Sequence, residues 1–514
     1  MKKSFYIKVS LLAAGIIFLL IQSCNKLDLQ PLDRVTTETY YKTAADFDGA
    51  IFASYSSIQD FWGTSTETIG ELGEYWKVSM VVTDDVDADP VRAWDGYTVD
   101  MDRLIFRSSD KPFAAIYTQI YEGILRANLV IDYAGKENEL TAEEKTKYIA
   151  EAKFLRGFFH FLAMQLWGTP PLITEVQTDL NNLSVGNSTK EALFAAIIQD
   201  FKDASDGLPA KWDDANLGRA TKWAAKAFEG KVYVWKEDWA NAITAFQAVK
   251  TANAYQLMPD YLDAFDFQKE NNAESIFEIQ FGGPFSDDNL WVFDDTHSEA
   301  FKASQGTSRV WYWDPSGDAP GGHMGWYVPS QNLVSEFEPG DARLSASVYK
   351  TGDTYYTIDG DKIASLPYNA AWSSSGYSIK KYMGERNAKT SDYSPNGQAQ
   401  FNNERWFRYA EMLLLYAEAL IRSGKTADGL AIINNDIRKR AKLGPTTISD
   451  PVKALQHEKR MEMAFEPHRW FDIVRWNIGG AIFGGKWNSK YVLFPFPQTE
   501  IDRNGGKLKQ NTGY

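Results

Sequence analysis

The hydrophobic positions of this chain repeat at three- and four-residue intervals over long stretches, the spacing that places them on one face of an α-helix. The first stretch begins after Thr43, whose side chain suits an N-cap. Helices are predicted for residues 43–60, 112–134, 150–167, 189–208, 222–235, 239–251, 405–423, 427–441 and 451–476. Taken as helix pairs over roughly 43–60, 112–260 and 405–476, they predict a mainly α-helical fold.

Two of the predicted helix pairs share a spacing of small and large residues. The first pair carries the order Gly230, Tyr233, Ala242, Phe246 and Val249. The second pair repeats the same intervals with Ala417, Leu420, Gly429, Ile433 and Asp436. This order is typical of tetratricopeptide hairpins, in which small residues let two antiparallel helices approach closely. Because the last position of the second pair is polar, ordinary helical hairpins remain the alternative.

The region between the helix pairs has a different pattern. Residues 274–281 alternate as in a β-strand, and a Gly-Gly-Pro sequence ends the alternation. Residues 282–403, like residues 62–111, are rich in Gly, Ser, Asp, Asn and aromatic residues and have little helical periodicity. Loop regions of this length inside a compact protein usually carry function. We therefore expect a ligand site to be built from these two regions.

The N-terminus has the order of an export signal. Three lysines precede an apolar run over Val9–Ile21, and the only cysteine of the chain, Cys24, follows it. The run is shorter than the roughly 20 apolar residues of a membrane-spanning helix. We interpret residues 1–23 as a lipoprotein signal peptide, Cys24 as the lipidated residue and residues 24–514 as one domain held at the membrane by that lipid. An ordinary secretory signal with an incidental cysteine is the alternative.

Composition and charge narrow the class of ligand. The formal net charge is −14, and without the three lysines of the signal peptide it is −17. A chain this acidic, without a basic stripe, repels phosphate backbones, so we exclude nucleic-acid binding. The 17 tryptophans are more informative, because several of them lie in polar, glycine-rich loops.

Several separated motifs follow one another along the chain. They are AKFLRGFFHF (152–161), LWG (166–168), PPLI (170–173), RYAEMLLLYAEA (408–419), EKRMEMAFE (458–466), HRWFDIVR (468–475), PFP (495–497) and QNTGY (510–514). Together they resemble the SusD/RagB family of outer-membrane, nutrient-binding lipoproteins of Bacteroidota. The resemblance implies a superhelix of tetratricopeptide-like helix pairs, with an irregular loop and short-strand region packed on it.

The same resemblance implies a function. Members of this family capture glycans at the extracellular side of the outer membrane and deliver them to a SusC-like TonB-dependent transporter. They are not enzymes and need no cofactor. The aromatic middle of the chain, which varies with the ligand in this family, is the part that the resemblance covers least well.

A dense set of charges near the C-terminus could be mistaken for a catalytic centre. It comprises Glu458, Arg460, Glu462, Glu466, Arg469, Asp472 and Arg475. The spacing suits i,i+3 and i,i+4 ion pairs along a helix, and we interpret the set as structural. His457-Glu458 lacks the second histidine of a zinc-binding helix. The acidic residues 84–89 lack a full calcium-loop pattern and are interpreted as a solvated turn, so no metal site is predicted.

Aromatic side chains in the loops are the candidate ligand contacts. A sugar ring offers an apolar C–H face on which an aromatic ring can stack, and hydroxyl groups that take hydrogen bonds. The candidates in polar or glycine-rich loops are Trp94, Tyr97, Trp291, Trp311, Trp313 and Trp326. Tryptophans on or beside amphipathic helices are assigned to packing instead, and these are Trp62, Trp76, Trp223, Trp235, Trp239 and Trp470.

Other functions remain open from the sequence. A glycoside hydrolase needs two carboxylates about 5–9 Å apart across the sugar, and no such pair is recognisable. A tetratricopeptide superhelix could serve as a protein-interaction scaffold, or the loops could bind a non-glycan nutrient such as a peptide.

The lipid anchor is directly testable. Cys24→Ala removes the only thiol that could carry the lipid, so the variant should leave the membrane fraction and appear in the soluble fraction of the cell envelope. The measurement is immunoblotting after a high-salt wash, with Ser23→Ala as the matched control. A Cys24→Ala protein that still sediments with membranes would contradict the assignment.

Overall fold

The computed structural model describes residues 40–59, 61, 74–93, 96–179, 183–282, 307, 309–319, 322–359, 362–383, 389 and 400–514. The predicted signal peptide and Cys24 lie outside these residues. Within the described ranges, we find no helix with the length and apolar character needed to cross a bilayer.

The described part of the chain is mainly helical, as predicted. Its helices are α1 (Ala44–Gln59), α2 (Glu74–Trp76, continued by a π-helix at Lys77–Val81), α3 (Gly96–Asp102), α4 (Lys111–Ala134), α5 (Ala142–Trp167), α6 (Lys190–Gly207), α7 (Lys222–Trp235), α8 (Trp239–Ala252), α9 (Arg309–Trp313), α10 (Gln331–Glu336), α11 (Ala342–Ser347), α12 (Tyr409–Arg422), α13 (Thr426–Ile432, continued by a π-helix at Ile433–Arg438), α14 (Pro451–Glu462), α15 (Arg469–Arg475), α16 (Gly479–Phe483) and α17 (Gln498–Arg503). Short 3₁₀ turns connect some of them.

The strands are short. They are β1 (Val86–Ala88), β2 (Ser275–Ile279), β3 (Tyr327–Pro329), β4 (Val348–Tyr349), β5 (Thr354–Asp359), β6 (Lys362–Pro367), β7 (Ser378–Ile379) and β8 (Glu404–Arg408). They form antiparallel pairs, β1 with β3, β2 with β8, β4 with β7 and β5 with β6. Most of these pairs lie in the middle of the chain, where the sequence lacks helical periodicity.

Side-chain caps set several helix starts. Thr43 caps α1 by accepting a hydrogen bond from the Asp46 N–H, as predicted. Thr141 and Glu144 form a full capping box at the start of α5. This cap explains why α5 begins eight residues earlier than the apolar periodicity indicated. The helix ends at Gly168, which adopts a φ of +76°.

Successive long helices pack side by side from α4 to α8, and α8 packs on α12. In both repeat pairs a glycine lets the two helices approach closely. A Cβ atom at Gly230 would lie 2.5 Å from the ring of Phe246, so only glycine allows α7 and α8 this approach. In the second pair, a Cβ atom at Gly429 would lie 2.6 Å from the side chain of Ile421 in α12, which is not one of the predicted repeat positions. The predicted contact between a small and a large residue is therefore confirmed in the first pair, whereas the second pair makes its close approach at a different position.

Besides the start of α5, two predicted helix boundaries are wrong. Residues 405–408 belong to β8, because this buried segment pairs with β2 instead of extending α12. The helix expected over residues 451–476 is broken into α14 and α15, and Phe465 between them has a φ of +62°. Both breaks lie where charged side chains are buried.

A network of buried charges surrounds Arg408, the last residue of β8. Its guanidinium group donates to Glu274 and Glu462 over 2.7 Å each. Its Nε donates to Glu466, also over 2.7 Å. The three carboxylates come from the start of β2, the end of α14 and the turn beyond α14. One arginine thus joins segments that are far apart in sequence.

The charges near the C-terminus are buried and paired, but the predicted partners are mostly wrong. Asp472 and Arg475 do form an i,i+3 pair at 2.8 Å. Arg469 and Arg460 instead reach Asp84, at 2.8 and 3.0 Å. Periodicity could not reveal these pairs, because their members are more than 370 residues apart. Asp84 is also not part of a solvated turn, since its carboxylate is held by two arginines.

Glu462 gives a test of the network by pH. Burial raises the pKa of Glu462, but Arg440, Arg408 and Arg343 outweigh burial and lower it from 4.5 to about 2. The ionised carboxylate therefore contributes stability that is present above pH 4.5 and is lost as pH falls towards 2. Glu462→Gln should cost roughly 3–5 kcal/mol at pH 7, because it leaves buried arginines uncompensated.

We expect the difference in unfolding free energy between wild type and Glu462→Gln to become smaller as the pH falls below 4.5. It can be measured by urea unfolding at pH 7, 4.5 and 3. Glu500→Gln, which removes a half-buried carboxylate that lies outside the network and pairs with Arg503 in α17, is the control. A gap that stays constant over this range would contradict the pairing.

Candidate ligand-binding surface

The candidate surface is built on the short sheet of β1 and β3. In this sheet Val86 lies opposite Pro329 and Ala88 lies opposite Tyr327. Three loops adjoin it, and we refer to them as the first loop (residues 89–93), the second loop (residues 314–319 and 322–326) and the third loop (residues 368–377). They come from the two regions in which the sequence predicted a site.

Asp89 ties the three loops together. Its backbone N–H donates to the carbonyl of Trp326 at 2.7 Å, which joins the first loop to the second. Its Oδ2 accepts from the backbone N–H of Ser374 at 3.3 Å, which joins the first loop to the third. Its Oδ1 accepts from the N–H groups of Val91 and Arg92. These bonds orient the loops relative to one another.

The carboxylate of Asp89 is buried between the three loops. The side chain has no exposed area. Burial raises the pKa of Asp89, but the backbone N–H of Val91 and the bonds from Ser374 and Arg92 outweigh burial and lower it. The carboxylate is therefore ionised at neutral pH, when it can accept all of these hydrogen bonds.

Arg92 connects the buried Asp89 to Asp318 at the protein surface. One guanidinium nitrogen contacts Asp89 at 3.1 Å, and another contacts Asp318 of the second loop at 2.7 Å. Asp318 is mostly exposed and also accepts from Ser316. The surface above Asp89 therefore presents a cation and an anion that are fixed in position, a suitable arrangement for hydrogen bonds to a polar ligand.

An aromatic layer lies beneath the loops. The rings of Trp76 and Trp313 are 5.5 Å apart, and Tyr312 contacts Trp326 at 5.2 Å and stacks on Tyr327 at 5.1 Å. Trp313 is only 1% exposed and Trp326 only 5%. The expectation that these two tryptophans present open faces to a ligand is wrong. Their rings support the loops from below, and Trp76 is a packing residue as predicted.

Of the other four predicted ligand contacts, the structure describes the side chain of one. Tyr97 is half-buried in the first turn of α3, which follows the first loop. Trp311 lies in α9, but its side chain is outside the described part of the structure, as are the whole residues Trp94 and Trp291. Their role as ligand contacts stays a prediction.

The third loop adds aromatic residues that are not among the six predicted ligand contacts. Tyr377 is half-buried, and Trp372 is 9% exposed. Tyr368 packs edge-on against Trp372 at 5.6 Å and shares a hydrogen bond with Ser378 at 2.8 Å. The run of three serines and a glycine between Trp372 and Tyr377 was an available signal, since it has the same polar, glycine-containing character as the selected loops.

The buried acidic groups of the first and second loops are committed to internal bonds. Asp314 lies 3.1 Å from Nδ1 of His323 and accepts from the hydroxyl of Tyr355 at 3.4 Å. Burial raises the pKa of Asp314 despite these contacts. Together with Asp89, it holds loops in place instead of projecting from them. The arrangement suits binding of a neutral, hydroxyl-rich ligand better than acid–base chemistry.

Comparisons with known proteins agree with this architecture. The SusD family profile matches residues 228–491, slightly more than half of the chain. A second profile, described as starch-binding and associating with the outer membrane, matches residues 65–234. The chain therefore belongs to the SusD family.

Similar proteins cover nearly the whole chain. SusD-like protein P2 of Formosa agariphila is 26% identical, over 97% of this chain and 98% of its own. Starch-binding protein SusD of Bacteroides thetaiotaomicron is 23% identical over the full length of both.

Solved structures share the fold. A laminarin-binding SusD-like protein gives a TM-score of 0.75 at 22% identity, over 92% of this chain and all of its own. Surface glycan-binding protein A of B. thetaiotaomicron with laminarihexaose gives 0.74 at 22%, over 91% and 99%. The helical-pair fold is thus confirmed.

The role of Asp89 can be tested by local dynamics. Asp89→Asn keeps the size of the side chain but loses its charge and an acceptor oxygen. We expect amide hydrogen exchange to become at least tenfold faster at residues 91–93 and 374, with no change in α5. Asp318→Asn, at the exposed end of the same link, is the control and should leave exchange near wild type. Unchanged exchange in Asp89→Asn would show that the loops do not depend on this carboxylate.

Proposed function

We propose that this chain is a glycan-binding lipoprotein of the outer membrane surface, which captures oligo- or polysaccharide and passes it to a SusC-like TonB-dependent transporter. Membership of the SusD family supports the class. The relatives whose names give a ligand bind starch or laminarin. The export signal and Cys24 support the location.

The observation that best supports the proposal is the surface formed by the first, second and third loops, which Asp89 holds in fixed positions. Asp89 fixes three loops over a buried aromatic layer, so the residues above it are held in position before a ligand arrives. Preorganisation of this kind lowers the entropic cost of binding. Arg92 and Asp318 offer hydrogen bonds to hydroxyl groups, and nearby aromatic side chains offer stacking surface.

The proposed aromatic contacts are revised by the burial pattern. Trp94, Tyr97, Trp291 and Trp311 remain proposed contacts, and Tyr377 joins them. Trp313 and Trp326 are proposed as support for the surface. A ring with one half exposed can stack on a sugar, whereas a fully packed ring must first leave its neighbours.

Catalysis is not part of the proposal. Both buried carboxylates of the surface, Asp89 and Asp314, are engaged by hydrogen bonds from the protein. A hydrolase requires one acid and one base or nucleophile that reach the scissile bond. The bonds of Asp89 would have to break before it could take either role.

The scaffold alternative has less support. The concave face of a tetratricopeptide scaffold needs exposed side chains for its peptide. In α12, residues Tyr409–Ile421 are buried on every side. This central helix therefore serves as core, and the loop surface is the better candidate for ligand recognition.

The stacking contacts are tested by calorimetry on the soluble protein from residue 25, with laminarihexaose and a starch oligosaccharide as probes. Tyr97→Ala and Tyr377→Ala should each weaken binding of whichever probe binds by about tenfold, because the loss of about 1.4 kcal/mol of stacking is a factor of ten. Trp94→Ala belongs to the same series. Their melting temperatures should stay close to wild type.

Phe52→Ala is the matched control, since Phe52 is an exposed aromatic residue (51%) on helix α1. It should bind normally. Trp313→Ala should melt earlier, since the ring is packed in the aromatic layer. Normal affinity in all the loop variants would place the glycan site elsewhere on the molecule.

Delivery is tested by co-purification. Wild-type protein should co-purify with a TonB-dependent transporter from the outer membrane of the native organism, and the loop variants should do so equally. Recovery without such a transporter would contradict this part of the proposal.

A further inference from the structure

A large groove lies at the end of the β1–β3 sheet that is opposite to the three loops. It has a volume of about 970 Å³ and is bounded by β1, the residues that follow β3, α14 and α16. Sites that enclose a drug-sized ligand have volumes of about 300–1,000 Å³. The groove therefore has room for a segment of a sugar chain.

One wall of the groove carries a stacked aromatic pair. Phe483, the last residue of α16, lines the groove and is half-buried. Its ring stacks on the ring of Trp487, with 5.8 Å between the centroids and an angle of 9° between the planes. Trp487 in turn packs on the buried Trp470 at 5.9 Å. The protein thus supports Phe483 from behind, while the phenyl ring forms part of the groove wall.

The local sequence explains how this pair forms. Gly484 ends α16 with a φ of +56°, a conformation that glycine adopts without strain. The N–H of Trp487 then donates to the carbonyl of Gly484 at 3.0 Å. A Cβ atom at Gly479 would lie 2.5 Å from the ring of Trp487, so only glycine lets the tryptophan lie against the start of α16. The segment GGAIFGGKW (479–487) has the glycine-rich, aromatic character of the predicted ligand loops, but it lies outside the two regions selected from the sequence.

The other walls of the groove offer hydrogen bonds. Gln331 and Asn332 are exposed there, and Gln456 of α14 is half-buried. Asn332 is held in position by Arg460, which donates to its Oδ1 at 2.7 Å. An aromatic face beside amide groups is the combination that can contact both the C–H face and the hydroxyl groups of a sugar.

The charges that line the groove are balanced. Four of the lining residues are acidic and four are basic. The acidic residues are Asp84, Asp87, Asp102 and Glu336, and the basic residues are Lys453, Arg460, Arg469 and Lys486. An anionic or cationic polymer would meet like charges as well as opposite ones, which costs affinity. The groove therefore suits an uncharged chain, as the loop surface does.

The groove and the loop surface are in direct contact. Nε2 of Gln331, in the groove wall, donates to the backbone carbonyl of Ser375 in the third loop at 2.6 Å. Asp87, also in the groove wall, lies opposite Val328 in the sheet, and only Ala88 separates it from the first loop. Strand β1 is three residues long, which is roughly 10 Å at a rise of about 3.4 Å per residue. One extended sugar chain can therefore contact both places.

We propose that this groove is a second glycan subsite, in which Phe483 stacks on a sugar unit of the same chain that the three loops hold. The inference rests on the proposed function and adds to it a preference for long chains. A chain held by the loops gains affinity from the groove because the second contact is intramolecular. A fragment too short to reach the groove gains nothing.

The test is calorimetry on the soluble protein from residue 25 with two series of increasing length. The series are laminaritriose, laminarihexaose and laminarin, and maltotriose, maltohexaose and soluble starch. In the series that binds, the wild type should bind the polysaccharide at least tenfold more tightly than the trisaccharide, per binding site. Phe483→Ala should weaken binding of the polysaccharide about tenfold, because it removes the stacking contact. It should leave the affinity for the trisaccharide unchanged.

Ala481→Arg provides an answer if Phe483→Ala fails to fold. Ala481 is exposed and lines the groove, so an arginine there obstructs the groove without removing any packing. It should weaken binding of the polysaccharide about tenfold, with a melting temperature close to wild type. Phe52→Ala is the matched control, because Phe52 is an exposed phenylalanine that lines a different groove, of about 500 Å³, beside α1. It should keep both affinities.

Failure of the groove subsite can be distinguished from failure of the proposed function. Tyr377→Ala, in the third loop, should weaken the trisaccharide and the polysaccharide alike. A wild type that binds neither series would contradict the proposed function for these glycans, and the groove subsite with it. Two results would overturn the groove subsite while the proposed function stands. One is equal affinity of the wild type for the trisaccharide and the polysaccharide, and the other is an unchanged affinity of Ala481→Arg for the polysaccharide.

Discussion

Burial of charge around Arg408 is the constraint on which the rest of this structure depends. An arginine in a protein interior is tolerated only when carboxylates compensate it in good geometry. Here the compensating groups, Glu274, Glu462 and Glu466, come from three separate segments. The chain cannot place one of these segments without placing the others. The network therefore specifies how the C-terminal helices dock against the strand pair β2–β8.

The same principle operates where the loops meet the helices. Arg469 and Arg460 reach from the C-terminal helices to Asp84, just before β1, and Asp89 just after β1 holds the three loops. A short strand thus lies between two sets of buried ionic contacts. This explains how a segment with little regular structure can present a rigid surface.

Periodicity predicted the helices because it reports burial of one helix face, and helix α7 has the predicted bounds. Local spacing also predicted the contact of Gly230 with Phe246. The local sequence pattern gave wrong predictions where contacts between residues far apart in sequence determine the structure. Residues 405–408 read as helix but pair with β2. Trp313 and Trp326 lie in loop-like sequence but pack in the aromatic layer, because composition does not indicate which side of a loop a ring occupies.

The central claim is that the helices and their buried charges hold the molecule together, while the three loops recognise the ligand. Hydrogen-exchange footprinting with a saturating oligosaccharide tests this claim most directly. We predict added protection at residues 89–97, 314–326 and 368–377, with exchange in α5, α12 and α14 unchanged. Protection confined to the helices, with none in the loops, would contradict the account.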